Sequence, residues 1–195
     1  LDTSNMTSMS RMFYNSKSLT NIDTSGFDTS KVVNMNGMFW GCNNLKNIDV
    51  SNFKTSKVTD INNMFADCSS LTALDLSNFD TSNVLYMGNP YNYSYGGMFR
   101  NCSSLVSLNI SSFNTSKVKE MSNMFHGCSS LVTLDLSNFD TSNVTAMASM
   151  FDSCTNLKNL NLSSFNTSRV TNMQSMFKNC KNVEKFKNKA KQVQL

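Results

Sequence analysis

Residues 63–84 read NMFADCSSLTALDLSNFDTSNV, and residues 123–144 read NMFHGCSSLVTLDLSNFDTSNV, with four differences in twenty-two positions. Working outward from this pair, the dipeptide Met-Phe recurs at 12, 38, 64, 98, 124, 150 and 176, at intervals of 26 residues except for one interval of 34. A fixed period of this length marks a solenoid, in which each unit forms one coil that cannot bury its apolar side alone and stacks on the next.

The unit is T-S-x-V-x-x-M-x-x-M-F-x-x-C-x-x-L-x-x-L-x-L-S-x-F. Val58, Ile61, Met64 and Phe65 fall on an arc of about 120° at helical periodicity, which predicts a short helix with Thr55-Ser56 at its cap. Two residues after each Phe stand Asn15, Gly41, Asp67, Asn101, Gly127, Ser153 and Asn179; all but the serine tolerate the left-handed conformation that ends a helix. The following Leu71-x-x-Leu74-x-Leu76 switches to alternation and predicts a short strand with Leu74 and Leu76 turned inward. Each coil is therefore expected to run helix, turn, strand, loop.

The string M-F-x-x-C-x-x-L-x-x-L-x-L-S-x-F-x-T-S-x-V-x-x-M resembles the 26-residue repeat of bacterial surface proteins related to the BspA-like leucine-rich repeats, over residues 1 to about 186. The resemblance implies an α/β solenoid: a right-handed leucine-rich-repeat stack of about seven coils with parallel strands on the concave face and short helices on the convex face. It further implies an extracellular or cell-surface setting and an adhesin-like role in contacting protein or another extracellular macromolecule, and it implies neither an enzyme nor a cofactor; the near-identical coils suit an alternative, a structural spacer or stalk without a ligand of its own. Two departures stand out: Ser16 replaces the cysteine of the other coils, and Gly88 to Gly97 replace the usual two residues before Met98. The chain is read as one solenoid over 1–186 with an insertion at 88–97, followed by a basic tail or cap over 187–195. It begins inside a repeat without a leader, the pattern expected of a segment of a longer protein.

The net charge of +4 is unevenly placed, since residues 178–195 hold six lysines against Glu184. A nucleic-acid binder spreads cations along a face and interleaves stacking aromatics, so nucleic acid is not an expected partner. The apolar runs are too short to cross a bilayer. The six cysteines, Cys42, Cys68, Cys102, Cys128, Cys154 and Cys180, take one position per coil. That spacing predicts a file of buried free thiols serving as small apolar fillers; bridges between adjacent coils are the alternative. With His126 the only histidine, neither a tetrahedral zinc site nor a Cys-His nucleophile is expected.

Three groups are candidates for partner contact. The first is the outward strand row, Asp23, Asp49, Asp75, Asn109, Asp135 and Asn161, readable as a polar binding surface, as a weak cation site, or as a solvated face whose alternation of Asp with Asn limits repulsion. Second, the residue after each Phe varies freely, and Tyr14 and Trp40 there form either an aromatic patch or a filling for the neighbouring turn. The third is YMGNPYNYSYGG, residues 86–97, with Tyr86, Tyr91, Tyr93 and Tyr95 and the only proline. Loops rich in Tyr, Asn, Ser and Gly give large contact area at low entropic cost, although a loop folded back on a flank reads the same way. At the other end, Cys180-x-x-Val183-x-x-Phe186 predicts a last strand with Lys185 and Lys187 outward.

Overall fold

The computed structural model describes residues 2–89 and 96–181. Coils stack in parallel, and equivalent residues of successive coils lie side by side. Among the described residues four three-residue strands form on one side: β1 (Ala73–Asp75), β2 (Ser107–Asn109), β3 (Thr133–Asp135) and β4 (Asn159–Asn161). Strand β1 pairs with β2 and β3 with β4, both in parallel, with Leu74 opposite Leu108 and Leu134 opposite Leu160. On the opposite side a file of single parallel bridges runs through Ser8, Asn34, Asp60, Tyr86, Glu120, Ala146 and Asn172.

The expected helices do not form: the described residues contain no α-helix. The reason lies in where the amide protons go. Met35, Gly37, Phe39 and Gly41 donate to the carbonyls of Asp60, Asn62, Met64 and Ala66 in the next coil, whereas Met38, Trp40 and Cys42 close four-residue turns onto Met35, Gly37 and Phe39. Alternate residues thus serve the stack and the turn. An α-helix would spend every one of these donors within its own segment, leaving nothing for the neighbour.

The backbone achieves this by entering the left-handed region twice per coil. The six positions expected to do so have φ between 56° and 79°, and Ser153, not expected to, joins them at 62°. A second file directly before the Met-Phe pair, Arg11, Gly37, Asn63, Asn123, Ser149 and Ser175, does the same at φ between 53° and 60°. The run of apolar residues at helical spacing is therefore folded into consecutive tight turns. Asn and Gly share the first file for a packing reason: a Cβ at Gly41 would meet the side-chain oxygen of Asn15, and one at Gly127 that of Asn101.

Nor does the threonine of the T-S pair cap a helix. Thr55 donates its hydroxyl to the carbonyl of Asp80 at 3.0 Å and accepts from the Asp80 amide at 2.8 Å. Thr29 bonds Lys54, Thr81 bonds Asn114 and Thr141 bonds Asn166 in the same two-way fashion. One buried hydroxyl satisfies both backbone groups of the following coil, which the turn there leaves without partners.

The core is built of files. Phe13, Phe39, Phe65, Phe99, Phe125, Phe151 and Phe177 stack with neighbouring ring centroids 5.4 to 6.2 Å apart. A second file includes Phe27, Phe53 and Phe79, at 6.5 and 6.4 Å. Methionines and leucines fill the space around them, and Met38, Met64, Leu45 and Leu71 are fully buried. All six cysteines are free and buried, as expected, but they are more than fillers. Each thiol from Cys42 to Cys180 donates to the carbonyl of the Phe one coil earlier, at 3.0 to 3.2 Å.

The insertion leaves this scheme intact. Met87 is buried as Ile61 is, and Met98 donates to the Met87 carbonyl at 2.9 Å, as Met64 does to Ile61 at 3.1 Å. An antiparallel bridge between Gly88 and Gly97 pinches the base. Both positions require glycine, because a Cβ at either would strike the backbone of Ser122 or Asn123. The expected last strand, with Val183, Phe186, Lys185 and Lys187, lies outside the described residues.

Candidate functional site

The outward strand row has a local task. Asp23, Asp49, Asp75 and Asp135 each accept the backbone N–H of the serine two residues on, at 2.9 to 3.0 Å, and Asn109 and Asn161 do so at 3.2 and 3.1 Å. These Asx turns end each strand. Bonds from the amides and hydroxyls of Ser51, Ser77 and Ser137 hold the carboxyls of Asp49, Asp75 and Asp135 below their ordinary pKa. Within each sheet Asn109 stands opposite Asp75 and Asn161 opposite Asp135, so a neutral side chain faces each of these carboxylates across the pair. Among the described residues no group of three or more acidic, histidine or cysteine side chains could hold a metal.

Between the two sheets the ladder opens. No backbone hydrogen bond joins β2 to β3 among the described residues, and a depression there is lined by Leu108, Asn109, Thr133, Leu134 and Asp135. In parallel pairing, successive residues point their backbone groups to opposite neighbours. Because Leu76 bonds Asn109 and Leu136 bonds Asn161, the N–H and C=O groups of Leu108 on one side, and of Thr133 and Asp135 on the other, turn toward the opening. Val106 and Val132, just before β2 and β3, are 62% and 43% exposed. The sequence reading passed over them; the available signal was valine at a position where the other coils carry Thr20, Lys46, Thr72 and Lys158.

The variable file after each Phe lies on the turn side. Tyr14 packs edge-on against Trp40 with centroids 5.0 Å apart, and the Arg11 guanidinium sits 5.6 Å from both rings. Trp40 donates its indole N–H to Asp67 at 2.8 Å, while Arg100 pairs with the other oxygen of Asp67 at 3.4 Å. The file thus mixes partial burial with exposure: Tyr14 is 42% exposed, Trp40 half-buried and Ala66 fully buried. Further along, His126 lies 3.8 Å from Asp152. Burial lowers the His126 pKa against the opposing pull of Asp152, so the imidazole is neutral near pH 7.

Tyr86 is half-buried in the bridge file between Asp60 and Glu120, away from the strand row. Tyr91, Tyr93 and Tyr95 lie outside the described residues.

One solved structure shares this architecture. A leucine-rich repeat protein of T. pallidum, known from its crystal structure, superposes with a TM-score of 0.56 at 22% identity, covering 95% of this chain and 76% of that one. A leucine-rich repeat protein of Bacteroides ovatus aligns with a TM-score of 0.27 at 21% identity, covering 84% of this chain and 59% of that one. No curated protein matches the sequence. Residues 1–96 and 93–194 each match the family described as "Mycoplasma protein of unknown function, DUF285". The chain is a leucine-rich-repeat solenoid and belongs to that family.

Proposed function

We propose that the chain is a protein-interaction module displayed at the cell surface, adhesin-like and without catalytic activity, which takes an extracellular macromolecule along its strand face. The reading treats the stack as right-handed, with about seven coils over residues 1–186. The observation that carries it is the opening between β2 and β3, where Val106 and Val132 present apolar surface beside backbone donors and acceptors that no strand uses. Apolar contact area next to convergent polar groups is what a recognition surface requires. Catalysis, by contrast, needs a poised acid, base or nucleophile. The cysteines are buried and held protonated, and the strand-row carboxylates are occupied in turns.

The test is a binding screen of the intact chain against purified extracellular proteins, repeated with V106E/V132E. A partner that binds the natural chain and loses at least tenfold affinity for the variant supports the reading; partners bound equally by both place recognition elsewhere. Surface display is tested separately, by labelling intact cells with an antibody to the chain.

A further inference from the structure

A second surface lies outside the strand face, where the T-S-x-V segments of successive coils come together. Val32, Val58, Val84, Val118 and Val144 of these segments are buried, so the residues on either side of each valine face outward. The file before the valine reads Lys31, Lys57, Asn83, Lys117, Asn143, Arg169; the file after it reads Val33, Thr59, Leu85, Lys119, Thr145, Thr171. Twelve adjacent positions thus hold five cations and no acid. A shallow groove on this surface is lined by Leu85, Lys117, Lys119, Asn143, Thr145 and Arg169.

The cations are not there to neutralise the fold. The described residues contain one ion pair, Arg100 with Asp67, and one approach of the neutral His126 to Asp152, and neither involves Lys117, Lys119 or Arg169. Lys117 instead bonds the Asn83 side-chain oxygen at 2.7 Å, and Arg169 bonds that of Asn143 at 3.0 Å. Those amides in turn are tied down by the carbonyls of Ser56 and Ser116, each at 2.8 Å. Neutral anchors therefore fix the direction of both long side chains while leaving their charge uncompensated. Exposed cations held in place without an anion are a receptor for one.

Three features select the class of anion. Lys57, Lys117 and Arg169 stand two coils apart in succession, which at the parallel strand spacing is about 10 Å, so a linear polymer lying along the stack would meet a cation at regular intervals. Neither file contains an aromatic residue, and single-stranded nucleic acid needs stacking platforms. The backbone is closed to an added peptide strand: Thr59 bonds Val33, Leu85 bonds Thr59, Lys119 bonds Leu85, Thr145 bonds Lys119 and Thr171 bonds Thr145. What is left is a fixed row of cations, with the Leu85 side chain as apolar floor for a ring face. We infer that this surface binds a linear sulfated polysaccharide laid along the stacking direction, with Lys117, Lys119 and Arg169 at its centre.

The experiment measures binding of the intact chain to heparin, the unsulfated polymer hyaluronate and polyuridylate at 0.15 M and 0.5 M salt. Its variants are K117Q/K119Q/R169Q, the strand-face control K46Q/K158Q, and the chain shortened after residue 186. Thermal melts check that each variant folds. Heparin should bind at the lower salt and weaken strongly at the higher one. The triple variant should lose at least tenfold affinity, and the control and the shortened chain less than threefold. Equal binding by the triple variant, loss of binding on removal of the lysine-rich end, or equal or tighter binding of hyaluronate or polyuridylate would each overturn the inference.

Discussion

Single side chains in this protein are read by what they give the next coil. Thr55 is the clearest case: Thr55→Val keeps the shape and removes the hydroxyl that serves both backbone groups of Asp80. Leaving them unpaired is expected to cost about 1–3 kcal/mol, measured by urea unfolding, whereas the exposed neighbour Ser56→Ala should change stability by less than about 0.5 kcal/mol. The cysteines give a chemical test. Burial raises all six thiols, to about 11 for Cys42 and Cys180 near the ends of the file and further for Cys68, Cys102, Cys128 and Cys154 within it. A thiol reagent at pH 8 should therefore find almost none in the native protein and six after denaturation. Reaction should begin at Cys42 or Cys180, as peptide mapping can show. Glu120 gives a pH test. It is 4% exposed and its carboxyl is raised by burial against the hydrogen bonds from Ser122. The folded state holds this proton more tightly than the unfolded chain, so the burial penalty is absent below the ordinary glutamate pKa and grows as pH rises through the folded value. Glu120→Gln, which retains the acceptor for the Ser122 amide, should be more stable than the natural protein at pH 7 and lose that advantage by pH 4.

At the scale of the element, each coil is a succession of turns that pass through the left-handed region, and the positions differ in how well their residues suit it. Ser149, at φ 53°, sits where Gly37, Asn63 and Asn123 stand in other coils. Ser149→Gly is expected to stabilise by about 0.5–1 kcal/mol, relief of the left-handed cost outweighing the entropy of glycine; a higher urea midpoint checks it. The insertion is a separable element, because the Met87–Met98 turn and the Gly88–Gly97 bridge close it off at the base. Deleting residues 90–95 leaves Gly88-Asn89-Gly96-Gly97, which puts Asn-Gly, a favoured two-residue hairpin loop, at the tip. That variant should fold with a Tm within about 5 °C of the original. Much of this level was legible in the sequence: the outward Asp75 between inward Leu74 and Leu76, six of the seven left-handed positions after the Phe, and the aligned thiols. The helix was not, because Val58, Ile61, Met64 and Phe65 have the same spacing whether the segment winds as a helix or folds as successive turns toward one core. The deciding facts, the second left-handed file at Arg11, Gly37 and Asn63 and the donation of every other amide to the next coil, are properties of the stack. The Asx turns were written as D-x-S and N-x-S in every strand, but the same letters fit a binding surface, a weak cation site and a solvated face alike.

At the scale of the whole molecule, stability comes from interfaces between coils, since a lone coil has no partner for its Phe ring, its threonine hydroxyl or its alternate amides. The same stacking arranges function, because a side chain the core does not require is repeated along the surface as a line: carboxylates in Asx turns on the strand face, a cationic strip beside the buried valines, aromatic and charged pairs on the turn side. The candidate contacts were only partly visible beforehand, because what distinguishes them is whether a charge is already satisfied. Asp75 and Asp135 are tied to serine, while Lys117 and Lys119 pair with no anion among the described residues, and sequence alone treats all four as exposed charges. The arrangement rests on counterpart residues being neighbours, and a cross-link tests that most directly. Ala73 and Ser107 are Cα partners across β1 and β2, separated in sequence by the insertion, and adjacent parallel strands stand about 4.8 Å apart, within reach of a disulfide. Under mild oxidation, A73C/S107C should form a single bond between these positions, seen by mass spectrometry of the digested protein, and A73C/T133C, one coil further away, should not. Failure of the first pair to link, or equal linking of the second, would contradict the stacked register.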